Sequence, residues 1–476
     1  MFSKLVAFSA IEAGVDPIYR DAAALLEAQS VTKFDNSSVL RVAEGWLTHL
    51  GFRLASQTTL NSETGQPETN LIARIGPRGD NPVFWLTHSD TVPGGDSTLW
   101  TETRGDPFRA VLKGDRIYAR GASDTKLNFL SQVLALRDAA PQLGRLAREL
   151  VVLLTFGEES GLRGAKHFAQ APDPLPSIAF IGEPTQGIFL NAHKGRILAR
   201  ARFPYNHIES SDSHRKYFQI SVSGRAYHSS DPDGGDNAIV RLVDVVSQLV
   251  GSTHILVHHL EGGTAHNIVP DSARAVISVP ATFDADAFGR QMGLTITAYD
   301  EEQPTRFIPR TFFEFMRKLA EFDIEGRRLV HEAYDPPFET VSVGLVNGND
   351  HGHLTVTFDY RFFPRRSADE AWQLLENTFR ETVTVEKIAS NDGTYTSPMS
   401  PVITLALDAM RRTGFDVYFK TMSGNTEASV MSALGASSLI IGPGPWGVVH
   451  QPNEYNTIPD IRRMAAFYRA VLAEIS

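Results

Sequence analysis

The 476-residue chain contains no cysteine. Disulfides, thiolate metal sites and cysteine nucleophiles are excluded, so any metal must be held by histidine and carboxylate. No apolar run approaches the ~20 residues of a membrane span. Residues 5–10 are apolar but too short for a good secretory core, and Glu12 follows closely. The expected location is cytoplasmic. Surplus positive charge is lacking too. The formal charge of −10 argues against broad binding to nucleic acid or to an anionic membrane. It does not exclude a locally positive site. No internal repeat or low-complexity tract is evident. With 21% charged and 42% hydrophobic residues, the profile is that of a globular protein of two or three domains. Such a length buries a large core without staples.

What the chain does have is a series of metal-type ligands, each at the end of an apolar run. Val83–Thr87 delivers His88-Ser89-Asp90. Ile117–Gly121 leads to Asp124, Leu150–Gly157 delivers Glu158-Glu159, and Ile178–Gly182 delivers Glu183. Far downstream, Ser438–Gly444 precedes His450. Open α/β sheets bind ligands just beyond the carboxyl ends of their strands. Two histidines and several carboxylates gathered there suffice for two divalent ions, which points to metal-assisted hydrolysis.

The periodicity predicts an α/β catalytic domain with a mainly parallel sheet flanked by helices, its first part covering residues 1–190. Helical spacing appears over residues 18–50, with Ser37 or Ser38 as a cap, and again from Ser123 through Leu134. After about residue 188 strand-like runs dominate. Residues 191–392 read as an inserted α+β domain, for which the resemblance given below implies a lid or dimerisation role, and in which 281–350 looks like an extra elaboration. Residues 393–476 return to the first pattern, with a helix at Pro401–Arg412, strands at Asp416–Tyr418 and Ser438–Ile441, and a terminal helix.

Each candidate has a bland reading beside the chemical one. His88 alone is most simply a structural histidine at a strand end. On a strand, residues i and i+2 share a face, so Asp90 is placed to fix the His88 ring. Glu158-Glu159 alone reads as a solvated acidic turn. Buried without cations, one of the pair would be driven towards its protonated form. With cations, one carboxylate ligates while the other serves as a base for an acidified water. His258-His259 and His351-Gly-His353 have metal-like spacing but no strand-end carboxylates, and read as exposed strand or loop positions. Trp446 and Tyr455 read as packing residues.

Together, Leu86–Pro93, Ala119–Lys126, Thr155–Gly161, Gly182–Thr185 and Gly442 through Tyr455 resemble the co-catalytic zinc aminoacyl hydrolases. That group includes acetylornithine deacetylases, succinyl-diaminopimelate desuccinylases, aminoacylase-1 and related carboxypeptidases. The likeness covers most of the chain in the same order, apart from about 281–350. It implies two divalent ions, zinc first, with cobalt or manganese as alternatives. His88, Asp124 and Glu183 would hold one ion; Asp124, Glu159 and His450 the other. Glu158 would be the general base, Asp90 would orient His88, and the Asp124–Thr125 peptide would be cis.

In the insert, Gly224–Ser230 resembles the segment whose histidine donates to the oxyanion, here His228. Gly262–Pro270 resembles the segment whose asparagine contacts substrate, here Asn267. Phe358–Arg361 resembles the strand whose arginine grips a substrate carboxylate, here Arg361. Ser423–Glu427, with Gly424 and Thr426, resembles a substrate loop, although Glu427 stands where aspartate is more frequent. Thr125 and Leu127 likewise depart from the family's usual pocket wall. The implied function is removal of an acyl group from an N-acyl amino acid. The alternative is a dipeptidase or carboxypeptidase of the same family. A catalytically silent binding homologue would be expected to lack a ligand or Glu158, and a two-metal phosphoesterase finds no phosphate-cradling glycine loop. The partners are a small acyl amino acid or peptide substrate and, through the insert, a second copy in a homodimer. The elaboration at 281–350 could instead cover that surface and leave a monomer.

Overall fold

The computed structural model describes residues 16–208, 215–252, 255–301, 304–350, 352–413 and 418–476. The apolar stretch at residues 5–10, His351, and residues 416 and 417 of an expected strand lie outside them. The chain forms two compact units, the first from residues 1–191, 396–420 and 426–476, the second from 192–395 and 421–425.

In chain order the first unit contributes α1 (Pro17–Leu26), α2 (Ser37–His49), β1 (Arg53–Leu60), β2 (Pro67–Ile75), β3 (Val83–His88), α3 (Lys126–Asp138), β4 (Leu150–Thr155), α4 (Arg163–Gln170), β5 (Ile178–Gly182) and β6 (Phe189–His193). The second has β7 (Gly195–Pro204), β8 (Arg215–Ser223), α5 (Ala238–Ser252), β9 (Leu256–Gly262), β10 (Ser272–Pro280), α6 (Ala285–Met292), β11 (Thr295–Ala298), α7 (Arg310–Arg327), β12 (Thr340–Asp350), β13 (His353–Phe362), α8 (Ala368–Phe379) and β14 (Val385–Asn391). The first unit then resumes with α9 (Pro401–Thr413), α10 (Ala428–Ala433), β15 (Ser437–Ile440) and α11 (Ile458–Glu474).

The first unit's sheet runs β1-β2-β4-β3-β5-β15-β6. Its centre is parallel: β3 lies between β4 and β5, and β15 extends the parallel run. All six residues of β3 are buried, as are those of β4. Strands covered on both faces read as continuous apolar runs rather than alternating ones. Trp85 packs on Tyr468 of α11 at 4.7 Å between centroids, while its neighbour Phe84 packs on Phe168 of α4 at 5.8 Å. Three parallel strands therefore end together, and they place His88, Glu158-Glu159 and Glu183 at one edge. Helix α3 starts at Lys126 rather than Ser123, because residues 121–125 form the loop that presents Asp124.

The second unit is an eight-stranded antiparallel sheet, β11-β8-β10-β9-β12-β13-β7-β14. One face carries the core with α5, α7 and α8. The sheet contains the same motif twice. β8-α5-β9-β10-α6-β11 is a βαββαβ unit with spatial order 4-1-3-2. β7, followed by α7-β12-β13-α8-β14, is another with the same order, and the first is inserted after its opening strand. The two meet antiparallel, second strand to second strand, with Gly262 opposite Val346, as copies related by a twofold would. The sequence showed no repeat because one copy interrupts the other. Residues 281–350 are consequently not an appendage: α6 and β11 complete the inner copy, and α7 and β12 belong to the outer one.

Helix α4 approaches the sheet closely at Gly164. A Cβ there would meet the Phe156 backbone nitrogen and oxygen at 2.5 Å each and Asn70 Oδ1 at 2.6 Å. Gly164→Ala should therefore destabilise by roughly 1–3 kcal/mol through overpacking, although alanine is the better helix former. Urea unfolding checks this, and an unchanged or raised midpoint contradicts it.

Candidate dinuclear metal centre

The carboxyl edge of the parallel strands brings the first set of expected residues together. His88, Asp124 and Glu183 offer ligand atoms all within 4.8 Å of one another, and so do Asp124, Glu159 and His450. Asp124 belongs to both triads. His88 Nδ1 lies 3.0 Å from the Asp90 carbonyl oxygen. A carbonyl only accepts, so Nδ1 carries a proton, and Nε2, 3.0 Å from Asp124 Oδ1, is the ring nitrogen left to face a cation. His450 Nε2 stands 3.0 Å from Glu159 and 3.3 Å from Asp124 Oδ2. The Asp124–Thr125 peptide is cis.

Asp90 acts less directly on His88 than the i, i+2 spacing suggested. Its carboxylate is 3.6 Å from His88 Nδ1 and accepts the backbone N–H of Glu158 at 3.1 Å and of Glu159 at 3.4 Å. The ring is held by the Asp90 backbone, while the side chain fixes the turn that carries both glutamates.

The electrostatics match a cation site. Burial, reinforced by Glu183 and other carboxylates, pushes Glu158 well above its ordinary value. Burial and Asp124 do the same to Glu183 and, less strongly, to Glu159. Burial opposes the proton on each histidine, but the carboxylates win: Asp124 and Asp90 hold His88 well up, and Asp124 and Glu159 push His450 up to about 11. Against burial, the His450 and His88 partners draw Asp124 down. Glu183 Oε1 is buried with no hydrogen-bond partner among the described residues. An orphaned carboxylate oxygen in a cluster this acidic fits divalent cations, and the nitrogen–oxygen donor set suits zinc, cobalt or manganese.

The burial of three residues here was not foreseen from the sequence. Glu427 is fully buried, and burial, helped by Asp90 and opposed by His88 and Thr155, raises it to about 7. Arg120 and Glu454 form a buried ion pair at 2.6 Å behind Asp124. Glu454 lay inside a recognised motif, but nothing in the sequence separated it from its neighbours.

The second unit gathers the other expected residues. His228 pairs with Ile268 in an isolated bridge, and the Ser229 amide donates to the Asn267 carbonyl at 3.0 Å. His228 is exposed; its Nδ1 accepts the Ser230 amide at 3.1 Å. An amide only donates, so the ring proton of neutral His228 sits on Nε2. Ser229 Oγ donates to Asp359 at 3.0 Å. Arg361, 3% exposed, donates to Asp359 and, at 3.0 Å, to the Ser423 carbonyl. Arg196 also bonds Asp359, at 3.0 Å, and lies 3.3 Å from His266. Gly424 is half-buried in the loop that Arg361 holds. Thr426, in the first unit, is buried, and its hydroxyl accepts the Ala428 amide at 3.2 Å.

Two bland readings change. His258 is buried rather than exposed, because Ser278 Oγ and the Arg306 carbonyl both hold its ring at 2.7 Å. Trp446 does not pack as expected: it is 52% exposed. Tyr455 does pack, against Tyr118 and under Arg116.

The sequence profile of peptidase family M20/M25/M40 matches residues 85–474. The chain belongs to this family. Members hydrolyse amide bonds, and the chain is a metallohydrolase of that class. It is 26% identical over 473 residues to an acetylornithine deacetylase of Myxococcus xanthus, covering 96% of this chain and 97% of the relative. It is 32% identical to the acetylornithine deacetylase of Photorhabdus laumondii, where 47% of this chain matches and it spans about half, 51%, of the relative's length. Among solved structures, the fold is similar to an aminoacylhistidine dipeptidase from Vibrio alginolyticus, with a TM-score of 0.71 and 16% identity over 97% of this chain and 98% of that one. It is also similar to a metallo-carboxypeptidase from Sulfolobus solfataricus, with a TM-score of 0.60 and 15% identity over 96% and 99%.

Asp359 is the hub of the second cluster. Burial would raise it, but Arg361 and Arg196 hold it below the ordinary carboxylate range. Its stabilising contribution is thus whole above about pH 4 and disappears as pH falls through the lowered value. Asp359→Asn should cost roughly 3–5 kcal/mol at pH 7 by leaving buried guanidinium groups unpaired. The gap to wild type should narrow only below about pH 4. Denaturation at pH 7 and in acid tests this, and a gap that closes between pH 7 and 5 contradicts it.

Proposed function

We propose that the chain removes the acyl group from an N-acyl amino acid, with dipeptide or C-terminal peptide hydrolysis as the alternative within the same chemistry. The observation that carries the reading is the pair of triads sharing Asp124, with Glu158 beside them. Two divalent cations, zinc first, held by His88, Asp124, Glu159, Glu183 and His450, would supply Lewis-acid polarisation of the carbonyl and acidification of a water. Glu158 takes the proton of the attacking water and passes it to the leaving amine. Its upward-shifted affinity for a proton suits a group that must both accept and return one. His228, with its proton on Nε2, is the donor for the tetrahedral oxyanion, an effect worth a few kcal/mol. Asn267 and Arg361 hold the substrate carboxylate. Asp359 and the Ser423 carbonyl fix the plane of the Arg361 guanidinium, whose fork matches a carboxylate. The extensive match to a Myxococcus acetylornithine deacetylase favours deacylation. The likeness to a Vibrio dipeptidase concerns the fold alone.

No described helix is long and apolar enough to cross a membrane, and a cytoplasmic location is the reading from composition. For assembly, the edge of β9 that a second copy could extend is already paired with β12 of the same chain. This favours a chain that acts alone over the expected homodimer.

Glu158→Gln should lower kcat by at least about 10²-fold while cation content stays at the wild-type level. Unchanged turnover removes Glu158 from the reaction. Wild-type protein assayed on acetyl, succinyl and formyl amino acids against dipeptides should prefer the acyl substrates, and a preference for dipeptides selects the alternative. Sedimentation at assay concentrations should show one chain, whereas a stable pair restores the dimer.

A further inference from the structure

Two cation ligands of the proposed centre, His88 and Glu183, stand at or next to strand ends. His450 does not. It follows a short 3₁₀ turn, Trp446–Val448, and its φ of 62° lies in the left-handed region. A residue with a side chain stays there only where its surroundings hold it. Asp124 also comes from a loop, the one that precedes α3. Both loops are gripped by the same two side chains. Glu454 is fully buried. Its Oε1 accepts the backbone N–H of Gly121 at 3.1 Å, Ser123 at 2.8 Å and Asp124 at 3.0 Å. Its Oε2 takes an Arg120 N–H at 2.6 Å. The Arg120 guanidinium in turn donates to the carbonyl oxygens of His450 at 3.3 Å and Gln451 at 3.5 Å, and lies 5.0 Å over the Trp100 ring.

We propose that Arg120 and Glu454 are positioning residues that clasp the Asp124 loop to the His450 loop and so set the second cation position, the one shared by Asp124, Glu159 and His450. The inference rests on the two-cation reading above. The asymmetry between the two positions follows from which ligands depend on the clasp. At the first position, His88 ends β3 and Glu183 follows β5, and the sheet fixes both; only Asp124 comes from a clasped loop. At the second, Asp124 and His450 are both clasped, and Glu159 alone is independent. Loss of the clasp should loosen the second position and spare the first.

Glu454→Gln is the direct test. A glutamine oxygen still accepts the three amides, but its NH₂ faces the guanidinium donor to donor. The Asp124 loop keeps its anchor while Arg120, and with it the His450 carbonyl, is released. Arg120→Lys is the second variant: it keeps a positive charge opposite Glu454 and loses the fork. The metal-free proteins are titrated with zinc against a competing chelator, and cobalt uptake is followed by its visible spectrum. His450→Ala serves as the reference for a lost second position. Circular dichroism and thermal unfolding confirm that each variant is folded.

The expected result is that both variants keep the first cation at wild-type affinity and bind the second at least tenfold more weakly, with a cobalt spectrum moving towards that of His450→Ala. Folded variants that bind two cations with wild-type affinities overturn the clasp alone. Folded variants that lose both cations in equal measure also overturn it. A wild-type chain that takes fewer than two cations overturns the two-cation reading and the clasp with it. If Glu454→Gln does not fold, the Arg120→Lys titration decides between the same outcomes.

Discussion

Carboxylate crowding at the carboxyl edge of three parallel strands is the constraint around which the first unit is built. Asp90, Asp124, Glu158, Glu159 and Glu183 converge there, with Glu427 buried behind them, against two imidazoles. Like charges so close cannot all stay ionised in a poorly solvated site unless positive charge is supplied. The chain supplies part of it through His88 and His450. The rest of the demand fits a pair of divalent ions, and it explains why Asp124, Glu158, Glu159, Glu183, His88 and His450 are pulled away from their ordinary proton affinities. Structural ion-pair networks also perturb titration. Here, however, the perturbation falls on side chains whose atoms already form two overlapping ligand triads, a combination expected of functional sites.

The second unit solves a different problem, that of holding a cluster of polar groups in a rigid frame. Asp359 is buried under two guanidinium groups and a serine hydroxyl. Those bonds tie the His228–Asn267 segment, which lies on the inner copy of the motif, to Arg361 on β13 of the outer copy. A single well-solvated carboxylate could not do this. Withdrawn from water, it gains enough from each partner to fix all of their orientations.

The convergence of the strand-end residues was legible because two signals coincided. An apolar run long enough for a buried strand was followed at once by a residue type that is costly to bury. His88, Glu158, Glu159 and Glu183 all carry that signature, and His450 and Asp124 followed from motif order. The burial of Glu427, Arg120 and Glu454 was not legible. Each is a polar residue in a short loop whose burial is decided by chain segments far away: Glu454 meets residues 120–124 across more than 300 positions. His258 was misread for a similar reason, since a polar residue on a strand reads as solvent-facing unless its distant partners are known. The Asp90 side chain was placed on the right residue's neighbour: the i, i+2 rule gave the shared face but not the competition from two backbone amides. The alternation of strands and helices showed two kinds of architecture, but not that the second is one motif nested inside another.

That nesting has a consequence for how the polypeptide reaches its final shape. The inner copy, β8 through β11, has all its own strands once residue 298 has been made. The outer copy's opening strand, β7, must wait for β13 and β14, which begin some 150 and 180 residues later than it ends. Pairings that distant are slow to form, and an unpaired strand waiting for its neighbours is prone to wrong association. Assembly should therefore run outwards, with the completed inner motif offering the β9 edge as the template on which β12, then β13, then β7 align.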